Sequence, residues 1–499
     1  MDVTQQKNLS LKQYFGYSFY SFASFFGMIT FAFLNYFYPV IGMNYVLFST
    51  ALLVARILDF ILTLFVGGIM EKVPLKLGGG KYRPWLFISQ FTIYAGMVLL
   101  FSDPVPGNDV VHFIIVVVGS ILVNTTMSFI ITAQFGIVPQ MAGASVTDRV
   151  NLTTWNYRFM VLGQVGTSAL GAYVLAWIGM VIAPPLNYTV MTAAFALFYF
   201  LGIGVLRATA KPYDKRVEGM PGMPTVKVSD MVKAVATNSQ LLIYLLAQTL
   251  MFTGLMAMMN IMIYYYQIIV PFTHEGITVQ DGFPGLFTIG MTATSVASFI
   301  FALFAPILGN KLGKVRAMWI GCLIAALSGV LNFFFGASWW VLYIGISFLG
   351  TFSAALYSGF GVNYALDCGE YGLWKTGQDH RLVIMSMTNM PMKIAAIVGG
   401  LILYALAFIG YDSMAVSIAA DQNVLPAFAS DSFVTGYMFC LGMVPAIFNT
   451  LAALLMAFAY KIKDADAARY AAENMERMGG MGMMPPMGPP PEDAPPMEA

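Results

Sequence analysis

Long apolar stretches alternate with short polar gaps along the whole of this 499-residue chain. Twelve stretches can be marked, at 14–40, 45–70, 84–102, 112–139, 154–181, 188–206, 239–271, 284–309, 317–335, 339–366, 383–410 and 434–460. Each is long enough, at about 20 residues or more, to carry a helix across a hydrocarbon layer of ~30 Å. A transmembrane β-barrel would need segments of about ten residues with strict alternation, and that pattern is absent. The pattern predicts an all-α polytopic membrane protein.

Charge fixes the orientation. Numbered from a cytoplasmic N-terminus, the inner gaps and tails hold 22 of the 25 Lys and Arg residues. The outer gaps hold Asp103, Asp109, Glu275, Asp281, Asp412, Asp421 and Asp431 but no Lys or Arg. This is the positive-inside asymmetry, and it places both termini in the cytoplasm of a multi-pass cell-membrane protein, the cell inner membrane in a bacterium. The other three cations, Arg56, Arg158 and Lys393, fall inside apolar stretches.

Composition agrees. Hydrophobic residues make up 59% of the chain and charged residues 10%, against about 45–50% and about 25% in soluble domains. A net charge of +1 suggests no nucleic-acid partner. Cys322, Cys368 and Cys440 are too far apart in sequence for a metal-ligand pair, so no metal or cofactor is expected. The polar N-terminus and long first stretch do not read as a cleavable signal.

The longest inner gap between stretches, 207–238, is basic and contains three prolines. It separates an N-terminal bundle of six spans (1–206) from a C-terminal one (239–462), followed by a Met/Pro-rich tail (463–499) that is expected not to order itself. Six plus six spans, twelve transmembrane helices in two six-helix bundles, is the major facilitator pattern. The segments Gly67–Trp85 and Pro306–Arg316 both run from small residues into a Gly–basic cluster at matching places in the halves. They read as two copies of an internal repeat, or simply as topology determinants.

Several motifs are more specific. Val54–Ala55–Arg56–Ile57–Leu58–Asp59, then Gly67–Gly68, then Gly80–Lys81–Tyr82–Arg83–Pro84–Trp85 are followed by Ile137–Val138–Pro139, Asp148–Arg149 and Tyr157–Arg158–Phe159. Asp367–Cys368–Gly369–Glu370–Tyr371 comes later, and Lys393 later still. As a set these resemble the glycoside–pentoside–hexuronide:cation symporters, the melibiose permease family, over roughly 12–462. The resemblance implies a cation-coupled solute carrier. It also implies gating or ion-pair roles for Arg56, Lys81, Arg83, Arg149, Asp367 and Glu370, the last two in a loop after the tenth helix. The chain departs from the family where recognition is concerned. The second carboxylate of the second helix is replaced by Thr63, and the intervening asparagine by Leu62. The two sugar-binding aspartates align with Ser21 and about Ile131, and a tryptophan with Phe135. A galactoside substrate and a sodium site of the family's kind are therefore not expected.

Asp59 is the one acid deep in an apolar stretch, where an unpaired charge is costly. Arg56 and Thr63 share its helix face. The residues suggest a coupling-cation site of Asp59, Thr63 and Ser128, or a structural Arg56–Asp59 pair. A proton needs only one carboxylate, whereas Na+ normally needs several oxygens, so H+ is favoured over Na+. Ser386, Asn389 and Lys393 share another face, with Pro391 predicting a kink. That stripe reads as a cavity wall or as interhelical glue. Arg158 belongs to the cavity or to the cytoplasmic gate. Ser18, Ser21 and Ser24, and Thr125, Ser128 and Thr132, read as packing stripes or ligand sites. Candidate solute contacts are Ser21, Tyr20, Phe135, Arg158, Asn389 and Lys393.

The expected function is cation-coupled symport of a small polar solute, a glycoside or sugar acid, by a monomer that alternates access across the bilayer. Two alternatives stand beside it: a carrier of a lysolipid or another amphipathic anion, and a solute sensor of the same fold that moves nothing. No enzymatic constellation of His, Cys or paired acids lies in the spans. Three intramembrane cations against one acid point to an anionic solute.

Overall fold

The computed structural model describes residues 9–73, 75, 77, 79–142, 146–214, 236–358, 361–377, 384, 387–463, 465–467, 469–470 and 473–474. These residues are helical or connecting, with no strand among them. The N-terminal half contains α1 (Leu11–Val40), α2 (Tyr45–Lys72), α3 (Arg83–Leu100), α4 (Asp109–Ala142), α5 (Val146–Gly179) and α6 (Leu186–Ala210). The C-terminal half contains α7 (Ser239–Thr273), α8 (Phe287–Leu312), α9 (Lys314–Phe335), α10 (Trp340–Ser358), α11 (Gly361–Thr376), α12 (Met390–Phe408), α13 (Ser413–Gln422) and α14 (Asp431–Ala459). Eight helices carry windows long and apolar enough to cross a membrane. α8 and α10 carry shorter apolar runs, and α1 and α3 occupy the two other predicted spans. Of the segments discussed above, most of the central link (215–235) and the end of the tail (475–499) lie outside the described residues.

Helices satisfy every internal backbone group within the segment, which lipid requires. Their starts follow local chemistry. The Asn44 side chain accepts the Val46 and Leu47 N–H groups at the start of α2. Asn238 accepts from Leu241 N at the start of α7, and Ser430 from Phe433 N at the start of α14. Pro84 sits in the first turn of α3, where its missing N–H costs nothing.

The two halves repeat one packing scheme. In the first, α1 packs on α5 and α6, α4 on α2 and α3, and α3 on α6. In the second, α7 packs on α12 and α14, α10 on α8 and α9, and α9 on α14. Lipid supplies no hydrophobic drive for such contacts, so close backbone approach matters. A Cβ on Gly163 of α5 would lie 2.5 Å from the Phe22 carbonyl oxygen of α1. Gly329 and Gly442 approach each other in the same way between α9 and α14. Large apolar side chains face outward, Trp177 at 69% and Phe408 at 93% exposure, as a lipid solvent demands.

The predicted 339–366 span is helical over α10 to Ser358, and the helix α11 is described from Gly361 onward. It carries Asp367, Glu370 and Lys375 together with buried Tyr364 and Cys368. The Asp367–Tyr371 motif therefore lies in a helix, not in a loop. Pro391 lies in the first turn of α12, which starts at Met390 after a turn at 387–389, the position where proline is tolerated.

Candidate functional site

Asp59 lies 14 residues into α2, about 21 Å along the helix axis, near mid-membrane. It is 5% exposed. Its Oδ2 accepts from Lys393 Nζ of α12 at 2.6 Å. Its Oδ1 accepts from Thr125 Oγ1 of α4 at 3.1 Å and from Thr63 Oγ1 at 3.4 Å. Thr63 Oγ1 lies 3.2 Å from Ser128 Oγ. The carboxylate is thus ringed by three hydroxyl side chains on one side and an ammonium on the other. The ammonium comes from the opposite half of the molecule, 334 positions away in sequence.

Arg56 does not turn to Asp59. Its Nη1 donates to the Ala396 carbonyl of α12 at 2.9 Å, and its Nη2 to Asn260 Oδ1 of α7 at 2.8 Å. No carboxylate lies within ion-pair distance of it among the described residues. Asn260 is itself fixed from the first half, since Asn35 Nδ2 donates to its carbonyl at 2.9 Å. Tyr264 OH returns a bond to the Asn35 carbonyl at 2.9 Å. Both intramembrane cations at this level therefore tie one half to the other.

One layer away is an uncharged cluster. Asn156 Oδ1 of α5 accepts from Ser21 Oγ of α1 and, at 2.7 Å, from Gln134 Nε2 of α4. Ser21 is buried. Tyr20 is turned toward α6, its hydroxyl 3.2 Å from that of Tyr199. Phe135 is 56% exposed, two turns along α4 from Ser128 on the same face. Arg158 and Asn389 are exposed, and Arg158 has no acid within ion-pair range among the described residues. Ser386 lies outside the described residues.

Of the predicted gating residues other than Arg56, Lys81, Arg83 and Arg149 sit at or beside helix starts and Asp367 and Glu370 within α11, on the side where the charge pattern puts the cytoplasm. Asp214 accepts the backbone N–H groups of Lys81, Tyr82 and Arg83 at 2.9, 2.9 and 2.7 Å. Arg83 Nε donates to the Arg207 carbonyl at 3.2 Å. Asp367 pairs with Lys314 at 2.5 Å, and Glu370 accepts from Asn474 at 2.8 Å. These contacts all lie within one half or the other. The Arg149 side chain is outside the described set, while its neighbour Asp148 accepts from Tyr14 OH.

Two halves built on one packing scheme, joined by the Lys393–Asp59 ion pair with polar side chains from both, form a transporter frame. The chain matches the family described as MFS/sugar transport protein over residues 18–464. The protein belongs to that family. It is 23% identical over 479 residues to the symporter YjmB of Bacillus subtilis (strain 168), covering 94% of this chain and 96% of that one. It is 24% identical over 327 residues to a protein of Escherichia coli (strain K12) named as a 2,3-dihydroxypropane-1-sulfonate exporter, covering 62% and 64%. Among solved structures, a peptide transporter POT bound to sulfate superposes with a TM-score of 0.62 at 14% identity, covering 94% and 98%. The family consists of membrane transporters, not enzymes.

The structure places the predicted Asp59, Thr63 and Ser128 close together. Sequence reasoning left Thr125 in a stripe read as packing or ligand site, and did not name Asn260, Gln134 or Asn156 as site residues. Buried amides facing another helix are a readable signal in an apolar span, and these three carried it.

Proposed function

We propose that this protein is a proton-coupled symporter of a small anionic polyol or sugar acid. It would work as a monomer in the cell membrane, with both termini cytoplasmic. The observation that carries the reading is the Lys393–Asp59 contact between the halves. A proton on Asp59 removes the charge that holds Lys393, and the freed ammonium can then meet an anion on the solute. Binding of proton and solute is linked because each favours the same rearrangement of one pair. Sodium is disfavoured because Lys393 already occupies the Oδ2 side of the carboxylate. What remains is one carboxylate oxygen with the hydroxyls of Thr63, Thr125 and Ser128.

The solute charge follows from electroneutrality. Arg56 and Lys393 together exceed Asp59 by one positive charge at mid-membrane, and Arg158 adds another exposed cation. Net charge in a low-dielectric cavity favours a counter-anion. An anionic polyol is also what the name of the Escherichia coli relative specifies. Phe135 offers an apolar face, and Ser21, Gln134 and Asn156 offer neutral hydrogen-bonding groups for hydroxyls. A charge-assisted bond to Lys393 or Arg158 would hold the acid group.

The test is uptake into energised membrane vesicles of glucuronate, galacturonate and 2,3-dihydroxypropane-1-sulfonate, each beside its neutral analogue. Proton and sodium gradients are imposed separately. Accumulation of an acid driven by the proton gradient, lost in Asp59→Asn while exchange persists, supports the reading. Strict sodium dependence at constant pH, or undiminished accumulation by Asp59→Asn, overturns it. In Lys393→Gln the acid should lose affinity far more than its neutral analogue, and equal loss for both would remove the lysine from solute recognition.

A further inference from the structure

The outer ends of the halves meet along a closed seam. Tyr45 of α2 and Tyr264 of α7 flank Tyr411, with ring centroids 4.5 and 4.7 Å away. Tyr404 OH of α12 donates to Thr50 Oγ1 of α2 at 2.9 Å. Ser168 of α5 and Ser295 of α8 are 2.9 Å apart and both buried. Nearly all of these contacts are aromatic or neutral. The exceptions are Lys393 on Asp59 and the Arg56 guanidinium on Ala396 and Asn260.

Arg56 occupies a notch cut for it. Ala396 and Gly400 are one turn apart on α12, so they share a face. A Cβ on Gly400 would lie 1.9 Å from Arg56 Nη1 and 3.2 Å from its Cζ, and Arg56 is its nearest neighbour. The Ala396 carbonyl has a second lone pair beyond its helical bond, and the guanidinium takes it. The neighbouring Gly399 serves a different purpose, since a Cβ there would meet the backbone of α7 in the same half. Gly400 is thus a gap that admits a side chain from the other half.

We propose that Arg56 seated in the Gly400 notch is the latch that keeps this end of the transporter closed. For the seam to open, α2 must part from α12, and both Arg56 and Lys393 must let go of their partners. Arg56 then lies one turn from Asp59 on its own helix and can take the place Lys393 has left. The two cations would thus exchange at one carboxylate as the halves rock. The proposal rests on the alternating-access reading above but not on its solute or ion, because the experiment needs neither.

The experiment uses a full-length chain with Cys322, Cys368 and Cys440 replaced and a single Ser168→Cys reporter buried in the seam. Labelling by a membrane-impermeant maleimide is timed in right-side-out and in inverted vesicles. Val424→Cys, 49% exposed beyond α13, reports independently which face is outside. Gly400→Ala should raise the Ser168→Cys labelling rate about tenfold or more, since two bonds to a charged donor are lost. Arg56→Ala and Asn260→Ala should raise it too, and Gly400→Ala should add nothing in the Arg56→Ala background. Oxidation of a Ser168→Cys/Ser295→Cys pair should slow in the same variants. An unchanged rate in Arg56→Ala and Asn260→Ala sinks the latch, whether or not Gly400→Ala folds. An equal increment from Gly400→Ala with and without Arg56 would assign the glycine to helix packing and sink it as well.

Discussion

Replacing Lys393 by methionine keeps the length and apolar stem of the side chain and removes its charge. It strands Asp59. In the structure the Asp59 side chain is 7% exposed and that of Lys393 16%, so water screens the pair little. Removing one member of such a buried pair costs about 3–5 kcal/mol, because the other is left charged and unpaired. The Thr125 and Thr63 hydroxyls remain on Oδ1, and each offsets about 1 kcal/mol. The expected loss for Lys393→Met is therefore about 1–3 kcal/mol. The double change Asp59→Asn/Lys393→Met removes both charges and should return to within about 1 kcal/mol of the parent. The assay is reversible unfolding in mixed micelles at one fixed pH, with all four proteins compared as a cycle. A Lys393→Met protein as stable as the parent would show that the pair does not form in the populated state. A double variant destabilised by the sum of the singles would show that the two residues act independently.

Two further outcomes follow from the fold. Reporter fusions after Val279 and after Val424 should be external and a fusion within 208–227 internal, and an external 208–227 fusion would reverse the whole orientation. Gly163→Leu should lower the thermal midpoint or prevent folding, because the added side chain meets the Phe22 backbone at 2.5 Å and overpacking costs about 1–3 kcal/mol or more. Gly67→Ala, with nothing within 4 Å of its added Cβ, is the control that should leave the midpoint unchanged.

The helices were legible because a bilayer imposes length and hydropathy on each segment. Asp59 was legible for the same reason, as a lone acid in an apolar run. Its partner was not. Arg56, three residues away on the same face, is the local choice, and nothing along the chain says that Lys393 arrives from the other half instead. That contact depends on where α12 starts, and Pro391 lies in its first turn. The helical setting of Asp367–Tyr371 was missed because the family resemblance, not the local spacing, put that motif in a loop.

The missing second carboxylate has a consequence for how coupling can work. With two acids at mid-membrane, a metal cation could be held while a lysine keeps a partner of its own. With Asp59 alone, every positive charge at this level competes for one group. Lys393 holds it when the seam is shut, Arg56 is within reach of it when the seam parts, and a proton can replace either. A solute anion relieves that competition by supplying the second negative charge, so that one cation can stay with the protein and the other with the cargo. Coupling then requires no separate ion site: the cargo itself completes the charge set. A neutral cargo cannot do this. With a neutral cargo aboard, one cation at this level would stay without an anion, and the cost of that cation would appear as slower movement of the loaded carrier.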